Sequence, residues 1–165
     1  EAQWKSEGGN LNLQGGIHYV DAEFTGQFMN VEGQFLDGTR VPRTPQTSAE
    51  FNIHYGLNFG GWKVETGLNT RYLSRYPLDE ILGTPHQQEF VLYDVFVSVA
   101  SPTRHYELSL AGLNLSDEIY AMSSMARPFA CPSDCFSPAY PLYQFDQVVT
   151  SALGRQVAIR LSAKF

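Results

Sequence analysis

The sequence contains no run of about 18 apolar residues, so it offers no transmembrane helix. Charged residues make up 17% of the chain, below the roughly 25% of an average soluble domain. The net charge is −6 and the sequence has no run of basic residues, so nucleic acid is not an expected partner. The lack of a long apolar run does not exclude a membrane barrel, because barrel strands alternate between apolar and polar residues.

Residues with catalytic or metal-binding chemistry are few and scattered. The four histidines (His18, His54, His86 and His105) lie far apart, and no nucleophile elbow or phosphate-binding glycine loop is present. His18 and His54 fall on the polar faces of adjacent predicted strands, where they are expected to lie near each other. The sequence therefore predicts no enzymatic activity, no cofactor and no metal.

The only two cysteines, Cys131 and Cys135, lie in the longest predicted connection. A zinc site needs further cysteine or histidine ligands at matched spacing, and a redox pair is normally Cys-x-x-Cys. A local disulfide that pins this loop is the favoured interpretation. Free thiols and a metal site remain as the alternatives.

Alternation of apolar and polar residues is the dominant pattern in the chain. It predicts about six long strands, because side chains of a strand point to opposite faces with a period of two. None of the residues assigned to the apolar faces is charged. The predicted strands are, in order, 11–24, 48–59, 62–76, 89–101, 106–122 and the strand that ends the chain, in "GRQVAIRLSAKF". The fourth departs from the pattern, since Phe90, Leu92 and Phe96 share a face with Asp94; that face either meets other protein or is buried.

The predicted connections alternate between short and long. Gly60-Gly61 and the segment 102–105 are short, whereas 26–47, 77–88 and 123–150 are long. In an antiparallel up-and-down meander all short turns fall at one end and all long loops at the other. Transmembrane barrels have this asymmetry, and their strands need about 9–11 residues to cross the apolar layer.

Aromatic residues lie near both ends of the predicted strands, as a lipid–water interface favours. Those at the short-turn end are Phe59, Trp62, Tyr106 and Phe165, and those toward the other end are Tyr72 and Tyr76. The predicted fold class is therefore all-β, an antiparallel meander that forms an open arc of a larger transmembrane barrel. The alternative is a soluble β-barrel or sandwich with its apolar face turned inward.

Several stretches resemble, in chain order, the C-terminal part of a TonB-dependent outer-membrane receptor. They are "LNLQGGIHYVDAEFTG", the proline-containing "DGTRVPRTPQTSAEFNIHY", "VLYDVFVSV" with its central Asp94, "LAGLNLSDEIYA" and the strand that ends in Phe165. The penultimate-strand motif of the family matches Asn114, Leu115, Asp117 and Tyr120, for which we expect a structural role.

The resemblance covers residues 1–165 as the C-terminal part of a barrel domain of about 22 strands. The chain supplies about six strands and, at Ala2–Lys5, the tail of a seventh. The family's plug domain and TonB box have no counterpart here, so the chain is expected to be a fragment. The strand number supports this expectation, because a sheet in lipid must close to pair every backbone group and closure needs about eight strands.

The resemblance implies a receptor that takes up a scarce nutrient such as a ferric siderophore, with energy supplied through TonB. It implies location in the outer membrane of a Gram-negative bacterium, with membrane lipid, its own plug domain, TonB and the outer-membrane assembly machinery as partners. The assembly machinery would recognise the C-terminal strand with Phe165. Aromatic residues of the longest loop are the candidate ligand-binding residues: Phe129, Phe136, Tyr140, Tyr143 and Phe145. The alternative function is a small independent β-barrel that binds an apolar ligand in its interior.

Overall fold

The structure, a computed structural model, describes residues 1–7, 10–30, 33–79, 86–127 and 146–164. All regular secondary structure in these residues is β-structure, as the alternation predicts. None of the described residues belongs to a helix long and apolar enough to cross a membrane. Phe165, both cysteines and the five candidate ligand-binding aromatics lie outside the described residues.

In the described part of the chain, eleven strands form one large sheet and two small ones. They are β1 (Ala2–Lys5), β2 (Leu11–Tyr19), β3 (Thr47–Phe59), β4 (Trp62–Leu73), β5 (Tyr76–Pro77), β6 (His86–Gln87), β7 (Phe90–Ala100), β8 (Tyr106–Leu113), β9 (Ala121–Arg127), β10 (Asp146–Ser151) and β11 (Gln156–Ala163). The large sheet has seven antiparallel strands in the order β1-β2-β3-β4-β7-β8-β11. Strand β5 pairs with β6, and β9 pairs with β10.

The predicted meander is confirmed, together with the additional short strand at Ala2–Lys5. The observed β3, β4 and β7 begin within one residue of the predicted positions. Three predicted strands are too long. Strand β2 ends at Tyr19, β4 ends at Leu73, and the strand predicted over 106–122 is interrupted after Leu113.

The register of the large sheet places all described residues of the predicted apolar faces on one common face. One row across five neighbouring strands reads Leu13, Ile53, Leu68, Val95 and Gly112. Because side chains alternate along each strand, the whole face follows from such rows. It contains no Asp, Glu, Lys or Arg in any of the seven strands, and we call it the uncharged face.

All charged side chains of the seven strands fall on the opposite face, which we call the polar face. They are Lys5, Glu50, Lys63, Glu65, Arg71, Asp94, Glu107 and Arg160. A segregation this complete over seven strands marks two different environments for the two faces of the sheet.

The uncharged face is uncovered. Ile17, Leu161 and Phe59 are 75%, 75% and 82% exposed, although burying such a side chain is worth about 1.5–3 kcal/mol. Soluble monomers rarely expose large contiguous apolar surfaces, and those that exist mark interaction sites. The described residues do not cover the uncharged face, so we expect another molecule or another part of the protein to contact it.

Tight turns fix the register at one end of the sheet. Gly60 and Gly61 join β3 to β4 with φ values of 56° and 85°, the conformation that a two-residue hairpin turn requires. The link from β7 to β8 is held by Ser101, whose hydroxyl accepts a hydrogen bond from the Tyr106 amide at 3.1 Å. We call this end the short-turn end.

The opposite end, the long-loop end, contains structure that alternation did not predict. Residues 22–30 and 33–41 form two antiparallel arms, with an isolated bridge between Glu23 and Arg40. The segment 123–150 was expected to be a loop, but β9 and β10 form a hairpin that carries the chain beyond the large sheet. That expectation is wrong at both ends of the segment.

Candidate functional site

The polar face of β3 and β4 has two groups of side chains in contact. Lys63 Nζ lies 2.9 Å from Glu65 Oε1, and His54 Nε2 lies 3.7 Å from the same oxygen. The Asn69 amide donates to the Asn52 side-chain oxygen in the neighbouring strand. These side chains are partly exposed, so such ion pairs are worth only about 0–1 kcal/mol. These contacts therefore add little to the free energy of unfolding.

His18 and His54 do not meet. In the β2–β3 register His18 lies opposite Ser48, whereas His54 lies opposite Asn12. The expected proximity is wrong because β2 and β3 run antiparallel, which places the two residues far apart along the strands. The neighbour of His54 is instead the ring of Phe96, with ring centroids 5.9 Å apart.

A small polar groove of about 190 Å³ lies on the polar face at the short-turn end. Its charged lining is mixed in sign: Lys63, Glu65, Arg104, His105, Glu107 and Lys164. The described residues contain no group of three or more His, Cys, Asp or Glu side chains placed to hold a metal ion. Mixed charge suits contact with another polar protein surface better than capture of one ion.

A buried apolar cluster in the described residues covers the polar face at its long-loop end. Phe90 and Leu92 of β7 are 4% and 6% exposed. They pack with Tyr76, Leu78 and Ala121 from the two adjoining connections. The apolar residues that share a face with Asp94 are thus covered by the chain's own loops, which answers the question that β7 raises in the sequence. Phe96, farther along β7, remains 40% exposed.

Tyr76 lies at the predicted end of the sheet but in a different environment from an interface aromatic. Its side chain is 8% exposed, and its hydroxyl donates to the Ala121 carbonyl at 3.5 Å. Burial raises the pKa of the Tyr76 hydroxyl above its usual value of about 10, and nearby Tyr120 raises it further. Tyr76 therefore belongs to the loop core.

Alkaline pH is expected to weaken this core through Tyr76. The folded state holds the Tyr76 proton more tightly than the unfolded chain does. Its contribution to stability is therefore complete below about pH 10 and is lost as the pH rises through the folded-state pKa. Tyr76→Phe should reduce the fall in unfolding free energy between about pH 8 and pH 11, measured by urea titration. Tyr106→Phe, at a 57% exposed position, is the control. An equal fall in the wild type and in Tyr76→Phe would contradict the prediction.

The motif residues Asn114, Asp117 and Tyr120 lie together where β8 stops. Asn114 is 7% exposed, and both Asn114 and Asp117 adopt positive φ, at 49° and 56°. Asn and Asp tolerate this left-handed conformation better than other non-glycine residues. Tyr120 stacks on Phe90 with ring centroids 4.5 Å apart.

Leu115, the remaining described motif residue, contributes through its backbone. Its amide donates to the Tyr93 carbonyl at 2.8 Å, and its side chain is 37% exposed. The motif thus joins β7 to the chain beyond β8, an arrangement that the sequence alone does not specify.

An apolar groove of about 730 Å³ lies near β1. Leu13, Ile17, Phe51 and Tyr72 of the uncharged face contribute to its lining, with Trp4 beside them. The groove is continuous with the exposed apolar surface and belongs to the same feature.

Comparisons of the chain with protein-family models, with curated proteins and with solved structures find no match. The geometry of the sheet and the sequence motifs are therefore the basis for a proposed function.

Proposed function

We propose that the chain is the C-terminal arc of a TonB-dependent outer-membrane receptor, a barrel of about 22 strands. Such a receptor takes up a scarce nutrient such as a ferric siderophore. The observation that carries the proposal is the separation of charge across seven strands: the uncharged face is exposed, and all charged strand residues are on the polar face. A barrel wall between lipid and a water-filled or plug-filled interior requires this separation.

The edges of the sheet support an arc. Strands β1 and β11 are its two outer strands and are not paired with each other in the described residues. Exposed strand edges promote aggregation, and in lipid each unpaired backbone group costs several kcal/mol. Neighbouring strands of a larger barrel would pair both edges.

The alternative, an independent barrel with an apolar interior, fits the geometry less well. An interior-binding barrel turns its apolar face inward and its charges outward. Here the loops cover part of the polar face instead, through Tyr76, Leu78 and Ala121. This is the side on which a receptor holds its plug and its ligand, so the polar face would be the lumen.

Cell fractionation and uptake measurements test the proposal. The complete protein is located by fractionating the wild-type source bacterium. The reading frame that contains this chain is then deleted, and radioactive iron uptake by the deletion strain is measured with catecholate and hydroxamate siderophores. We expect the protein in the outer-membrane fraction and a loss of uptake equal to that caused by removing TonB. A protein found in the soluble fraction would overturn the proposal. A protein in the outer membrane without any uptake defect would remove the siderophore as its substrate.

The aromatic residues of the segment between β9 and β10 are proposed to line the ligand vestibule. Replacing residues 129–145 by a glycine-serine linker should weaken siderophore binding by at least about tenfold, since a lost aromatic contact cluster is worth more than about 1.4 kcal/mol. Binding is measured by fluorescence quenching on the purified receptor. Replacing residues 23–39, a segment of the same length, by the same linker serves as the control for the loss of a native loop. Unchanged affinity in the first variant would refute the assignment.

A further inference from the structure

The β8–β11 pair and the β9–β10 hairpin are successive parts of the same two chain segments. On one segment β8 ends at Leu113 and β9 begins at Ala121; on the other β10 ends at Ser151 and β11 begins at Gln156. The hairpin is a separate two-stranded sheet, so its direction is not set by the ladder of the large sheet. We therefore look for contacts between Leu113 and Ala121 that set the direction of the hairpin.

The side chain of Asn114 joins both segments across this interruption. Its amide nitrogen donates to the Glu118 carbonyl at 2.8 Å and to the Leu153 carbonyl at 3.1 Å. Its amide oxygen accepts from the Glu118 amide at 3.0 Å and from the Ser116 hydroxyl at 3.1 Å. Both donors and the acceptor are used, so the buried side chain is held in one orientation.

Asp94 and Ser116 attach this turn to β7. The Asn114 backbone amide donates to Asp94 Oδ1 at 2.8 Å. The Ser116 hydroxyl shares its single proton between Asn114 Oδ1 and the Val91 carbonyl oxygen, which lies 2.9 Å away. The turn is therefore tied to a strand inside the large sheet as well as to its own hairpin.

Asp117 makes the second link between the two segments. Its Oδ1 accepts a hydrogen bond from the Arg155 amide at 2.8 Å. A Cβ atom added to Gly154 would lie 2.8 Å from the same oxygen, so glycine is what allows the carboxylate to approach. A further bond runs from the Ala152 amide to the Tyr120 carbonyl at 2.8 Å.

We propose that Asn114 and Asp94 are positioning residues that fix the direction in which the β9–β10 hairpin leaves the sheet. The Asn114 side chain holds the Leu153 carbonyl of the second segment, and its backbone amide is held by Asp94 of β7. In the described residues the hairpin pairs with no strand of the large sheet, so these contacts are what attach it there. The consequence for ligand capture rests on the proposed function: a fixed hairpin gives the long-loop end a preformed wall, which avoids an ordering cost on binding.

Spin-label distance measurements on the complete protein test the positioning role. Labels replace Val149 in the hairpin and Tyr19 at the end of β2, which are 46% and 66% exposed. They are attached through an unnatural amino acid so that Cys131 and Cys135 stay unchanged. Asn114→Asp keeps size and tolerance of positive φ but puts a carboxylate oxygen against the Glu118 and Leu153 carbonyls. We expect a broader distance distribution and about tenfold faster amide exchange in the hairpin.

Three further variants make the result specific. Asn58→Asp makes the same chemical change at an exposed site near the short-turn end and should keep the narrow distribution. Asp94→Asn keeps an acceptor oxygen and should also keep it, whereas Asp94→Ala should broaden it. Asp94→Ala also tests the proposal if Asn114→Asp fails to fold.

Two outcomes would overturn the assignment. One is an unchanged distance distribution in Asn114→Asp and Asp94→Ala. The other is an equal loss of amide protection in β3 and β4, which would make Asn114 a residue of general stability. Failure of the proposed function is a separate result, because a protein outside the outer membrane can still show the broadened distribution.

Discussion

Replacing Val97 by arginine is expected, under the proposed function, to destabilise the assembled protein by about 2–4 kcal/mol, because that is the cost of a cation at the centre of a lipid-facing barrel surface. Val97 lies near the middle of the uncharged face, between Thr66 of β4 and Leu110 of β8. Neither neighbour offers a charge to pair with a guanidinium. The measurement is the urea dependence of folding into lipid vesicles, followed by tryptophan fluorescence.

Ser98→Arg is the matched control, one residue along the same strand and on the polar face. Ser98 lies opposite Glu65 in the register and lines the polar groove of mixed charge, so a new cation there stays beside a carboxylate and water. We expect a change within about 0.5 kcal/mol, as for most exposed substitutions. An equal effect of both variants, or none from Val97→Arg, would contradict the assignment of the uncharged face to lipid.

The large sheet was predictable because one local rule governs it. Alternation with a period of two places Leu57, Val64 and Val99 on one face without any knowledge of their partners. Turn chemistry then fixes the register, as Gly60 and Gly61 do between β3 and β4. Strand positions, sheet order and the separation of charge all follow from these two local signals.

The interruption of the strand predicted over 106–122 was not predictable in the same way. The hydrogen bonds that hold Asn114 come from Asp94 and Leu153, which are 20 and 39 residues away. The apolar positions change phase between Leu110 and Leu113, which is a local sign of a break but does not reveal the distant contacts that hold it. Tertiary contacts decide where the strand stops, and the same contacts begin the β9–β10 hairpin.

The loop core escaped prediction for a related reason. Tyr76 follows a strand whose aromatic residues suit a lipid interface, yet it turns toward Phe90 and Ala121. A tyrosine suits both environments, because its ring is apolar and its hydroxyl needs one partner. The sequence places it at the correct end of the sheet but does not choose the side.

Gly67→Ala is expected to destabilise the protein by about 1–3 kcal/mol, the usual cost of overpacking. Gly67 lies on the polar face of β4, between His54 of β3 and Phe96 of β7 in the register. A Cβ atom there would lie 2.9 Å from Phe96 Cζ and 3.0 Å from Cδ1, and closer still to Cε1. The ring would have to leave the surface of the sheet and give up its contact with His54. Urea titration of the complete protein measures the effect.

Gly56→Ala isolates this steric effect from the general consequences of replacing a strand glycine. Gly56 lies on the same face of the neighbouring strand, and a Cβ atom there has no atom within 4 Å. Because alanine restricts the unfolded chain more than glycine does, Gly56→Ala should be neutral or stabilising by up to about 1 kcal/mol.

The double variant Gly67→Ala/Phe96→Ala then decides the mechanism. If the clash with the ring is the cause, Gly67→Ala should cost little once Phe96 is alanine, and the coupling free energy should account for most of the single-variant effect. Additive effects would mean that the ring does not depend on Gly67. The position that alternation treats as an unremarkable polar-face glycine would then contribute through its backbone alone.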